Sequence, residues 1–183
     1  TVAVNGTQMA IAQTTDKASI NWQSFNVGAG ASVNITQPSA SSVLLNRVVG
    51  NDPSQILGKL SANGQLILLN PNGIVFGKDG SVAASSFTAS TFGLSDADFM
   101  DGFHKYSRNG STAAVVNQGT IEASAGGFVA LIGIFWEWYE FLSDQLVGTL
   151  IQPGMADTMA DFLCDLLGAG LVLIGVYVVE RPK

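Results

Sequence analysis

The chain has 183 residues, of which only 12% are charged, and a net charge of -6. Ordinary soluble domains carry roughly 25% charged residues. The shortfall here is filled by Gly, Ser, Thr, Asn and Ala, a composition that points to an extracellular β-rich protein. The acidic balance excludes a nucleic-acid footprint, which needs a basic patch, and one Cys164 with one His104 excludes an intrachain disulfide and a His/Cys zinc site.

The charge is unevenly spread. Residues 1–133 carry six Lys/Arg against seven Asp/Glu, whereas residues 134–183 carry two against seven. A shift that abrupt marks a boundary. Thr1 opens the chain with neither a basic n-region nor an apolar h-region, so the expectation is a mature exported protein whose signal has been removed.

In chain order, Val2 and Val4 alternate with polar neighbours before an Asn5-Gly6 turn. Ile20-Asn21-Trp22 and Phe25-Asn26-Val27 follow, then a Gly28-Ala29-Gly30 turn, then Val33-Asn34-Ile35 up to Gln37-Pro38. The stretch from Asn63 to Gly77 holds two apolar, β-rich runs separated by Asn70-Pro71-Asn72-Gly73. Pro presets φ at the second turn position, and Asn and Gly tolerate the conformations that follow. Residues 96–103 read as a short helical turn or excursion, and 106–111 as a polar loop. Asn117-Gln118-Gly119-Thr120-Ile121 and Phe128 to Ile132 resume the turn-and-strand pattern. Strands of about five residues recurring in units of about twenty predict a solenoid of parallel strands; a β-sandwich shares that spacing.

After Gly133 the period changes. Phe135, Trp138, Tyr139, Leu142 and Leu146 recur at helical spacing, and a second helix is predicted from about Asp157 to Val179. Asp157, Asp161 and Asp165 share one face near its start, where carboxylates complement the helix dipole. The uncharged stretch from Leu166 to Val179 reaches about 21 Å, short of a ~30 Å hydrocarbon core. The expectation is nevertheless a membrane contact through Leu166 to Val179, because that stretch lacks a polar face. The competing reading is that the two helices cap the open end of the solenoid.

Several ordered motifs carry a resemblance. Ile20 to Val27, Asn46-Arg47-Val48 with Gly50, Ser54 to Gly58, Asn63 to Gly77, Phe87 to Thr91, Val116 to Ile121 and Gly126 to Gly133 together resemble the filamentous-haemagglutinin-type N-terminal secretion domain of two-partner-secretion exoproteins. That resemblance covers residues 1–133. It implies a right-handed parallel β-helix with a small N-terminal cap, and a partner outer-membrane transporter that recognises the module through its periplasmic domains. It also implies that the whole exoprotein is an adhesin, haemagglutinin, cytolysin or contact-dependent toxin. Residues 134–175, through Phe135 to Phe141, Asp157 to Asp161 and Asp165 to Ala169, resemble instead an uncharacterised bacterial multi-spanning inner-membrane family. The chain thus reads as a chimera of a β-helical domain, 1–133, and a hydrophobic helical tail, 134–183.

The candidate site residues are Asn46 and Arg47, and Asn70, Pro71, Asn72 and Gly73. Each set is readable as a determinant of transporter recognition or as turn chemistry that folds the module. His104 near Asp101 lacks a nucleophile in a convincing context, so no catalytic residue, metal site or cofactor is expected. The function expected is a non-catalytic secretion module. The alternative is an inner-membrane-anchored periplasmic β-domain, and a polysaccharide-active β-helix would need clustered carboxylates beyond Asp96, Asp98 and Asp101.

Overall fold

The computed structural model describes residues 1–133. The helices expected over 135–146 and 157–179, with Cys164, the three aspartates and the stretch Leu166 to Val179, lie outside the described residues. Among the described residues no helix is long and apolar enough to cross a membrane.

The described elements follow in order: β1 (Val2–Asn5), β2 (Gln8–Ala12), β3 (Lys17–Trp22), β4 (Ser32–Thr36), β5 (Val43–Val48), β6 (Ser54–Ile56) and β7 (Lys59–Ala62). Then come β8 (Gln65–Leu69), β9 (Ile74–Phe76), β10 (Ser81–Ala84), β11 (Ser86–Ser90), α1 (Asp96–Asp101), β12 (Val115–Asn117), β13 (Thr120–Ala123) and β14 (Val129–Ile132). They form three sheets, ordered β1-β2-β4-β7-β10-β13, β3-β5-β8-β11-β14 and β6-β9-β12. From β2 on, consecutive strands fall in different sheets, and from β5 on the chain passes through the three faces in turn. Every pairing between named strands is parallel except β1 with β2. This is a coil of parallel strands, and the sandwich alternative is excluded, because a sandwich needs two antiparallel layers. The β1–β2 hairpin lies at the edge of the first sheet and turns at Gly6, with φ 59°.

The repeat is visible in the register. Val43 pairs with Gln65 and Gln65 with Ser86, spacings of 22 and 21 residues. Phe87 then pairs with Val129, a gap of 42, because residues 91–114 leave the coil between β11 and β12. That excursion contains α1, which is N-capped by Ser95 and ends at Gly102 with φ 83°.

Alternation decides what fills the coil. In β4, Val33 and Ile35 are buried while Asn34 and Thr36 are exposed. In-register pairing stacks like on like: Val33, Leu60 and Val82 in the first sheet, and Leu44, Leu66 and Phe87 in the second. Phe87 meets Phe76 edge-on across the interior at 5.7 Å between ring centroids. Burying each such side chain contributes about 1.5–3 kcal/mol.

The central strands of the second sheet, β5, β8 and β11, are buried on both faces, which explains the unbroken run Leu66 to Leu69. Its outward side chains Val43, Leu45, Ile67 and Leu69 form a separate apolar cluster with Leu94, Phe99 and Tyr106 of the excursion. Folding the excursion back over this face gives it a core of its own.

Where the third sheet passes into the first, a backbone crossing leaves no room for side chains. A Cβ on Gly80 would sit 2.1 Å from the carbonyl oxygen of Ile56. We expect Gly80→Ala to lower stability by about 1–3 kcal/mol, read as a fall in the urea midpoint. Gly28→Ala, whose Cβ would meet nothing within 4 Å, should leave the midpoint unchanged.

Candidate functional site

Asn70-Pro71-Asn72-Gly73 forms the corner between β8 and β9. It joins two sheets, so it is not a hairpin turn. Gly73 N–H donates to the Asn70 carbonyl at 3.1 Å, closing a four-residue turn. Gly73 has φ 110°, a conformation that favours glycine, and its carbonyl accepts from Ser54 N–H on the preceding rung at 2.9 Å.

Asn70 is fully buried and uses its whole bonding capacity. Its Nδ2 donates to the Asp52 carbonyl at 3.0 Å and to Ser54 Oγ at 2.9 Å. Its Oδ1 accepts from Asn72 N–H at 2.9 Å and from Asn72 Nδ2 at 3.0 Å. Asn72 Nδ2 also donates to the Gly50 carbonyl at 2.8 Å. The corner is thus tied by four hydrogen bonds to the rung beneath it. Pro71 and Asn72 remain half-buried, leaving part of the corner surface accessible.

Asn46 and Arg47, adjacent on β5, point to opposite faces. Asn46 is buried inside the coil, and its Oδ1 accepts from Trp22 Nε1–H at 3.1 Å. Arg47 points outward. It donates to Asn21 Oδ1 at 3.1 Å, to the Leu94 carbonyl at 2.8 Å and to Asp96 Oδ1 at 2.8 Å. Arg47 pairs with Leu69, the residue before Asn70, so the two predicted motifs occupy adjacent rungs at one end of the second sheet. The guanidinium is committed to partners within the chain.

Sequence reasoning missed the reciprocal bond between Gln37 N–H and Asn63 Oδ1, 2.7 Å, and between Asn63 Nδ2 and the Gln37 carbonyl, 2.8 Å, which ties another corner. It also missed Lys17, whose Nζ donates to the carbonyls of Phe99 and Met100 at 3.3 and 2.6 Å. An Asn-Gly turn signal at 63–64 was legible; the partner a full rung away was not. His104 is exposed and stacks on Phe99 at 6.3 Å. Among the described residues no three His, Cys, Asp or Glu side chains are grouped to hold a metal ion.

The comparisons with known proteins agree with this geometry. The family model of the TPS secretion domain matches residues 1–147, and the chain belongs to that family. Two heme/hemopexin-binding proteins of Haemophilus influenzae are similar to it. One is 35% identical over 112 residues, 61% of this chain and 12% of the relative; the other is 36% identical over 139 residues, 72% and 15%. The chain therefore spans only about an eighth to a seventh of these relatives. The crystal structure of the HMW1 secretion domain from Haemophilus influenzae superposes with a TM-score of 0.63 at 36% identity, covering 66% of this chain and 33% of that one. The family match runs past Gly133 into the segment likened above to an inner-membrane family, and nothing in these comparisons supports that second likeness.

Asn70→Ala should cost about 2–3 kcal/mol, since buried Ser54 Oγ and the Asn72 amide lose their partner; chemical denaturation reads this directly. Tyr106 offers a pH test. Burial raises its pKa above 10.0, and a hydrogen bond with the Thr88 side chain opposes the shift. The neutral phenol is favoured in the folded state, so its contribution is complete below pH 10 and is lost as pH rises through the folded pKa. Stability measured from pH 9 to 12 should fall more steeply in the parent protein than in Tyr106→Phe.

Proposed function

We propose that residues 1–133 are the non-catalytic export module of a larger exoprotein of the adhesin or haemagglutinin type, recognised by the periplasmic domains of a partner outer-membrane transporter. In this reading the coil is a right-handed parallel β-helix, and residues 134–183 are a separate tail. The observation that carries it is the family match across a coil whose Asn70–Gly73 corner lies within the matched residues.

The geometry supports a division of the predicted site residues by role. Asn46, Arg47 and Asn70 spend their polar groups inside the molecule, which favours a folding role. Pro71 and Asn72 keep accessible surface, which supports contact with a transporter at those two positions. Each rung that closes presents a new sheet edge to the next. Folding on the far side of the outer membrane would then help hold the exported chain outside.

The test is co-production with the cognate transporter followed by fractionation. The chain should appear in the medium, and Asn72→Ala should cut that amount at least tenfold. Gly80→Ala, destabilised at a different corner, should be exported better than Asn72→Ala at matched stability. Carbonate-resistant sedimentation with the inner membrane would contradict export.

A further inference from the structure

Residues 92–113 lie over the second sheet as a strap, and among the described residues no backbone-to-backbone hydrogen bond joins them to the coil. The bonds Gly93 to Ser107, Ser107 to Gly93, Phe99 to Ser95 and Lys105 to Phe103 all stay inside the strap. Between its ends, where Thr91 N–H donates to the Ile132 carbonyl and the Ala114 carbonyl accepts from Ile74 N–H, attachment is by side chains. At the front, Arg47 holds the Leu94 carbonyl and the Asp96 carboxylate. In the middle, Leu94 and Phe99 fill the apolar cluster over Val43, Leu45, Ile67 and Leu69, and Lys17 holds the carbonyls at the end of α1. At the rear, Ser111 Oγ–H donates to the Pro71 carbonyl at 2.5 Å, and the Ala114 carbonyl accepts from Ile74 N–H at 3.2 Å. A Cβ on Gly73 would lie 3.6 Å from Ala113 Cβ.

The two motifs are therefore the two ends of one seat. Arg47 grips the strap where it leaves the coil, and the Asn70–Gly73 corner receives it where it returns. We infer that these motifs act jointly to dock the strap, which opens and closes as a unit of its own while the coil stays folded. Lys17 is the third fastener, a positioning residue that no sequence motif marks. An element held by few backbone bonds opens at lower free energy than the ladder beneath it. Opening uncovers Val43, Leu45, Ile67 and Leu69, an apolar strip shielded only while the strap is seated. This deepens the reading of the same motifs as export determinants, and it is testable without a transporter.

The experiment is amide hydrogen exchange on the purified 183-residue chain. In Lys17→Met and Arg47→Met, amides of residues 93–107 should exchange at least tenfold faster, while those of β5 and β8 keep their parent rates. Ser111→Ala should accelerate the same strap amides from the other end. Lys17→Arg should restore parent rates, and a hydrophobic dye should brighten with Lys17→Met but not with Lys17→Arg. Unchanged strap exchange in all three variants would overturn the inference. So would exchange that accelerates equally in the strap, β5 and β8, since the strap and coil would then be one cooperative unit. Loss of export with normal strap protection would sink the joint role of the motifs but leave the export reading standing.

Discussion

Each rung of this molecule is held by the backbone edge of the rung before it, in register and in parallel. Register does more than satisfy hydrogen bonds. Because side chains alternate across a strand, a one-residue slip would turn Val33, Leu60 and Val82 outward and polar neighbours such as Asn34, Ser61 and Ser81 in. A short strand of three to six residues cannot fix its own register. The corners do so instead. Asn70 binds Asp52 and Ser54 on the earlier rung, Asn72 binds Gly50, and Asn63 binds Gln37. Each corner amide measures the distance to the rung beneath and fits at one alignment.

Buried amides are costly when left unpaired and specific when fully paired. Asn70 sits at zero exposure with all its bonding capacity used, so a corner displaced by one residue would strand several polar atoms. The same reasoning applies to Asn46, a polar residue among apolar ones, whose oxygen meets the Trp22 indole. These residues give the export module its unique shape, and the accessible parts of Pro71 and Asn72 are displayed on that shape.

Much of this was legible in the sequence. The strands show because β4 alternates, and the turns show because Asn, Pro and Gly occupy them. The helical turn shows because residues 96–103 break the strand pattern, and α1 occupies that break. Other features left no local signal. The run Leu66 to Leu69 reads as apolar throughout, because its second face is covered by Leu94 and Phe99, some 25 to 30 residues later. Lys17 reaches carbonyls 82 and 83 residues away, and Arg47 meets partners 47 and 49 residues on. Backbone carbonyls carry no residue type, so such partners cannot be read from composition or period. The Asn70 turn was predicted, but its grip on Asp52 and Ser54 depends on where the previous rung lies.

The most direct measurement is the pattern of cross-strand NMR contacts in isotope-labelled protein. The account predicts contacts between the Hα and amide protons of strands running in the same direction, linking the Leu44, Leu66 and Phe87 neighbourhoods in sequence order. Strong Hα–Hα contacts between β5 and β8, or between β8 and β11, would place those strands antiparallel and contradict it.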